Sequence, residues 1–171
     1  CKCGFFPDLG KCRCTPTQIR RYLNRVSGPF LDRIDIGVEV PRQDLGMMAA
    51  EKSIDEGSFP QTEQRNSSAV MRARVMEARD RQEKRFADES ISYNSQMTRR
   101  QIEEYCRLSG EDAVFLEKVE RQQGISARGH GKILKVARTL ADLDGQAEIG
   151  RTQLAEAIGF RSFEKKYWGS L

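Results

Sequence analysis

ISARGHGKILKVARTLADLDG, residues 125–145, carries the clearest helical period in the 171-residue sequence. Ile133, Val136, Ala137, Leu140 and Leu143 fall on one face of a helix, and Arg128, Lys132 and Lys135 line up as a basic stripe opposite. Taken alone, that stripe reads as a solvated face. Arg128 sits at the helix start, where free backbone N–H groups favour a phosphate, so it is also a candidate anion ligand. Gly129 and Gly131 lower helix propensity there by about a few tenths to one kcal/mol each.

The segments around this helix carry their own start and stop signals. NSSAVMRARVMEARDRQEKRF, from Asn66, opens on an Asn or Ser cap and is strongly helical. Glu77 with Arg81, and Asp80 with Lys84, are i,i+4 pairs suited to a solvated helix, with DNA contact as the functional alternative. A further helix starts at Thr98. Another starts at Ser109, with Asp112 three residues on, and stops at Gly124. TQLAEAI closes the set with Leu154, Ala155 and Ile158. Residues 67–161 therefore read as a compact bundle of about five helices. Cys106 belongs to its core, and His130, the single histidine, to its surface.

The first forty residues differ in kind. Cys1, Cys3, Cys12 and Cys14 form C-x-C-x8-C-x-C, with Gly4 and Gly10 able to fold the loop so that the two arms meet. Four thiolates satisfy tetrahedral Zn2+ in a closed, structural site. Metal-free reduced thiols and disulfides are the alternatives. Thr15 and Pro16 start a helix carrying Ile19, Leu23 and Val26, which Ser27–Gly28–Pro29 breaks. In IDIGVEV, Ile34, Ile36, Val38 and Val40 alternate with Asp35, Gly37 and Glu39, which predicts an edge strand with one buried face. A lone strand makes no sheet, so its partners are expected outside this sequence. Arg33, beside Asp32 at the turn into that strand, is either a surface ion-pair residue or a functional cation. Residues 42–66 read as a linker.

Composition narrows the class. Charged residues make up 32% and hydrophobic residues 38%, and the net charge is +4. The balance suits a helix-rich protein with a modest core, and permits nucleic-acid or phosphate binding without requiring it. No run approaches the roughly 18 apolar residues of a membrane span, and no signal peptide is evident, so a reducing cytoplasm and no membrane partner are expected. The sequence carries no nucleophile elbow, no H-E-x-x-H and no G-x-x-x-x-G-K-[ST]. It therefore lacks the parts of a self-contained enzyme.

Three stretches taken in order resemble one family. They are CKCGFFPD…CRCTPTQIRRYLNRVSGPFLDRIDIGVEVPR, VMEARDRQEKRF, and ISARGHGKILKVARTLADLDG…LAEAIGFR. They look like the C-terminal half of the bacterial magnesium-chelatase-like AAA+ ATPases, the ComM/YifB family. The resemblance implies a mainly α chain. Residues 1–41 would be the end of an AAA+ α/β core, with its last strand, 42–66 a linker, and 67–171 the helical lid. It implies that Arg33 is an arginine finger acting in trans, oriented by Asp32. It implies that Arg128 is the sensor-2 arginine, with Arg138 as the second candidate and Lys132 as a further nucleotide contact. It also implies Mg2+-ATP in a longer protein whose Walker segments lie upstream. That protein would be a homo-hexameric ATPase remodelling DNA as a branch-migration helicase linked to competence, and this piece alone would be inactive. A metal-chelatase-type motor and a non-enzymatic zinc-bearing module binding nucleic acid are the alternatives.

Overall fold

In a computed structural model, the structure describes residues 1–6, 8, 10–40, 67–162 and 167–168. The expected linker at 42–66 lies outside the described residues. Short local signals set the helix boundaries. Thr15 and Gln18 cap α1 (Pro16–Leu23) reciprocally: the Thr15 hydroxyl accepts from the Gln18 N–H at 3.3 Å and the Gln18 side chain accepts from the Thr15 N–H at 3.0 Å. Ser27 caps a short α2 (Gly28–Leu31), where the sequence reading expected only a break. Ser67, Thr98, Ser109 and Ser126 cap α3 (Ser68–Arg85), α4 (Arg99–Tyr105), α5 (Gly110–Gln123) and α6 (Ala127–Leu143). Gly124 closes α5 at φ 68°, a left-handed backbone that glycine adopts freely. A 3-10 turn at Asn94–Gln96 precedes α4, and α7 (Arg151–Gly159) ends the bundle. The expected five helices of the bundle are all present.

α6 is the central element and packs against α3, α4 and α7. One apolar cluster joins Phe86, Met97, Cys106, Leu116, Ile133, Leu134, Ala137, Ala141, Ile149, Leu154, Ala157 and Ile158. Fully burying side chains such as Leu116, Ile133 and Leu154 stabilises the bundle by about 1.5–3 kcal/mol each. Cys106 is core as expected, and burial pushes its thiol up to about 11. The buried face of α6 is rotated from the one the apolar period suggested. Its innermost residues are Gly129, Ile133, Leu134, Ala137, Arg138, Ala141 and Asp142, while Val136, Leu140 and Leu143 are only half-buried.

Two charged residues therefore lie inside. The Asp142 side chain is fully enclosed and accepts from both amino groups of Arg85, one at 2.9 Å. It also accepts from the Asn94 amide at 2.8 Å and faces Arg138 at 3.2 Å. Arg85 donates to Asn94 as well, and the Asn94 N–H is taken by the Gln82 side chain at 3.0 Å. This network ties α3, the 3-10 turn and α6 together. Among the described residues, the i,i+4 pairs expected along α3 do not close. Its charges instead reach sideways, Arg74 to Asp144 at 3.9 Å and Arg79 over the Tyr93 ring.

None of the described residues among 1–40 belongs to the apolar cluster of the bundle. Ile19, Leu23 and Leu31 are buried outside that cluster. The alternating stretch 34–40 forms no strand, which corrects the expectation of an edge strand. It has no regular structure, with Ile36, Val38 and Val40 exposed, and no described strand offers it a ladder. One hydrogen bond, from the Gly37 N–H to the Phe160 carbonyl at 2.9 Å, fixes it to the end of α7.

Removing the Asp142 carboxylate leaves Arg138 buried and Arg85 mostly buried without their shared counter-charge. Asp142→Ala is expected to cost about 3–5 kcal/mol of stability, measured as a shift in the urea unfolding midpoint at constant slope.

Candidate functional site

The candidate site residues gather where the N-terminal segment meets the start of α6. The Ser126 hydroxyl caps α6 by accepting from the Gly129 N–H at 3.1 Å, and donates to the Asp32 carboxylate, 3.2 Å from each oxygen. Arg161, buried just past α7, donates to the Ile34 carbonyl at 2.9 Å and lies 3.5 Å from Asp32. Lys132, one turn into α6, donates to the Arg33 carbonyl and to Asp35, both at 2.6 Å. The backbone on both sides of Arg33 is thus gripped by the helical bundle.

Gly129 makes this closeness possible. A Cβ there would stand 2.7 Å from the Ile125 side chain and 3.8 Å from Arg161. The glycine that weakens the helix start in isolation lets Ile125 and Arg161 pack against it.

Arg33 itself is exposed, with its guanidinium folded back to donate to the Pro29 carbonyl at 2.6 Å. Arg128 is exposed too, and makes no hydrogen bond or ion pair among the described residues. It stands on the rim of an open groove of about 960 Å³. Met97, Ile102, Cys106 and Leu134 supply that groove's apolar lining, and Lys132 and Lys135 part of its basic rim. Lys135 donates to the Ser95 carbonyl at 2.9 Å, and burial lowers its ammonium from the usual lysine range. The expected basic stripe is therefore not a solvated face, since two of its three cations are committed to neighbours. His130 is half-buried, with Nδ1 2.6 Å from a Glu120 carboxylate oxygen.

Arg138, the second sensor-2 candidate, is elsewhere. It is 2% exposed, and donates to the Ala147 and Gln146 carbonyls, each at 2.7 Å, while facing Asp142. Its amino groups hold the loop after α6. Arg161 is the site residue that sequence reasoning missed. It follows GF at a helix end, and its partners Ile34 and Asp32 lie 127 and 129 positions away (161 − 34 and 161 − 32).

The four N-terminal cysteines do come together. Their sulfurs lie within 4.8 Å of one another, with Cys1–Cys3 at 3.3 Å and Cys12 3.6 Å from each. A tetrahedral ion with metal–sulfur bonds near 2.3 Å needs sulfur–sulfur edges of about 3.8 Å, so the donor set fits one. Gly4, at φ 80°, turns the loop between the arms, and the Phe6 N–H donates to the Cys1 sulfur at 3.3 Å. A backbone hydrogen bond from Phe5 leads in holding the Cys3 thiol down at about 7, with Cys14 and Cys12 adding to it. That favours the thiolate a metal needs.

Comparison with known proteins places the chain in a family. The family model described as "Magnesium chelatase, subunit ChlI C-terminal" matches residues 65–161, and "Magnesium chelatase, subunit ChlI" matches 1–48. The class is thereby magnesium-chelatase-like and AAA+ ATPase-related, with residues 65–161 in the position of its helical C-terminal part. Competence protein ComM of Haemophilus influenzae is 41% identical over 88% of this chain and 27% of its own length. The uncharacterized protein YifB of Escherichia coli is 40% identical over 90% of the chain and 28% of its own length. An uncharacterized Mycobacterium bovis protein is 30% identical over the same shares. The chain belongs to the ComM/YifB family of magnesium-chelatase-like proteins, and spans 27–28% of the length of these curated relatives. Among the described residues no helix is long and apolar enough to cross a membrane.

The two arginine candidates separate by stability. Arg138→Met strips the Gln146 and Ala147 carbonyls and the buried Asp142 of a partner, and should cost about 2–4 kcal/mol. Arg128→Met should stay within about 0.5 kcal/mol. Paired urea melts of the two variants provide the check.

Proposed function

We propose that this chain is the C-terminal part of a homo-hexameric AAA+ ATPase that remodels DNA, as a branch-migration helicase linked to competence in the cytoplasm. Residues 1–41 end its α/β core, 42–66 link, and 67–171 form the lid. Arg33 is the arginine finger, completing the ATP site of a neighbouring subunit. A planar, permanently charged fork suits the negative charge spread over a transferring phosphoryl group. Arg128 is the sensor-2 residue, contacting the phosphates of its own subunit's nucleotide from the start of α6. Asp32 orients the finger segment. Mg2+-ATP binding and water activation belong to segments upstream of this chain. Cys1, Cys3, Cys12 and Cys14 would hold one Zn2+ in a closed site that stiffens the loop without catalysing anything.

The observation that carries this reading is the contact between Asp32 and Ser126. It joins the segment bearing Arg33 to the helix start bearing Arg128 while leaving both guanidiniums at the surface. Further support comes from the family's relation to AAA+ ATPases and from the competence name of the Haemophilus influenzae relative.

In the longer protein, Arg33→Ala should leave ATP binding nearly intact and slow hydrolysis roughly a thousandfold or more. Arg33→Lys should recover little. Rings mixed from Arg33→Ala subunits and subunits lacking the Walker B acid should regain ATPase activity absent from either pure ring. Mixed rings that stay inactive, with mixing verified independently, would return Arg33 to an ordinary surface role. Separately, metal analysis of the longer protein purified without chelator should find about one zinc per chain, and four freely reactive thiols in place of metal would remove that site.

A further inference from the structure

We infer that Lys132 and Arg161 are positioning residues for Arg33, so that the bundle of one subunit sets the place of the arginine it presents outward. The inference rests on the finger reading of Arg33. Four long-range contacts bracket that residue. The Asp32 carboxylate before it meets Ser126 and Arg161. Its own carbonyl accepts from Lys132 at 2.6 Å. The next carbonyl, of Ile34, accepts from Arg161 at 2.9 Å. Each partner lies on the bundle, between 94 and 129 positions along the chain (161 − 32 = 129). Local hydrogen bonds hold the segment only as far as Ile34, whose N–H donates to the Leu31 carbonyl: α2 is one turn long and 34–40 has no ladder.

Side-chain economics favour a positioning role over a nucleotide contact for Lys132. Its side chain is 16% exposed, and two of its three donors are already spent at 2.6 Å, one of them on Asp35. A lysine reaching for phosphate would have to leave both. Arg161 is 4% exposed at its side chain and points the same way, toward the backbone after the finger. Arg128 shares α6 with Lys132, one turn away. Any tilt of α6 that follows a ligand at Arg128 therefore moves Lys132, and with it the carbonyl of Arg33. The start of α6 and the finger segment behave as one lever.

Two measurements test this. In the 171-residue chain, amide hydrogen exchange should show Lys132→Met and Arg161→Gln losing protection across 31–37, with the amides of 133–142 unchanged. In the longer protein, Lys132→Met should lower kcat by about tenfold to a hundredfold, the scale of a finger displaced by about an ångström. KM and ATP affinity should stay within about twofold, and Lys132→Arg should restore most of the rate. Asp35→Asn removes a carboxylate whose side chain is 63% exposed, so it keeps the fold and should give the same split at smaller size. If Arg33→Ala stops hydrolysis while Lys132→Met and Asp35→Asn do not, the lever is wrong and the finger reading survives. If Arg33→Ala has no effect on hydrolysis, the finger reading itself falls and the lever falls with it. A rise in KM or Kd with kcat unchanged would make Lys132 a nucleotide contact and overturn the positioning role.

Discussion

A single enclosed carboxylate organises the bundle. Asp142 has no solvent, so its charge is compensated only by Arg85 from α3 and Arg138 from its own helix, with Asn94 supplying a further donor. A buried charge with one partner missing is expensive. The three elements can therefore approach in only one register, the one that closes all of these contacts. Apolar packing alone would accept several helix rotations, because Leu, Ile and Ala surfaces are interchangeable at small cost. The ARTLADL segment thus acts in two ways: its apolar residues supply burial, and its charged pair, four residues apart, fixes rotation.

This is also where the sequence was least legible. Helix ends were readable because each capping signal lies within three residues of what it caps, as at Thr15, Thr98, Ser109 and Gly124. Core membership was readable where it was apolar, as at Cys106 and Ile133. Arg138 and Asp142 were not, since a period count takes charged residues for surface, and their burial depends on Arg85 over fifty positions earlier. Arg161 escaped for the same reason. The strand expectation failed differently. Alternation at 34–40 encodes a surface made for pairing, and pairing needs a second strand that none of the described residues provides.

The same helix serves the candidate site with its other end. Around Ser126 and Gly129 the backbone is approached so closely that a side chain at Gly129 would collide with Ile125. That closeness brings Arg161 and Asp32 to the helix cap. The core-packed stretch of α6 begins at Ile133, immediately after Lys132, so the cap and the core are separated by little more than one turn. A long rigid helix anchored at one end and latched to a backbone segment at the other transmits displacement well.

The clustering of cysteines follows from the same inequality of cores. Among the described residues, the bundle has twelve buried apolar residues in one cluster, whereas 1–40 bury only Ile19, Leu23 and Leu31. So few side chains cannot offset the entropy of ordering a segment of that length, and small units in that position are held by metals, disulfides or neighbours. Neighbours contribute here. The Trp168 indole donates to the Leu23 carbonyl at 3.2 Å, the Tyr167 hydroxyl donates to Glu39 at 2.9 Å, and the Tyr167 ring meets Phe6 edge-on at 6.3 Å. Those contacts bind the helix and the stretch 34–40 but touch the cysteine loop only at Phe6, two residues beyond the Gly4 turn. Among the described residues the loop contributes no side chain to a buried apolar core, and what its residues do bring together is four sulfurs within 4.8 Å of one another, a donor set of the kind that couples metal binding to folding.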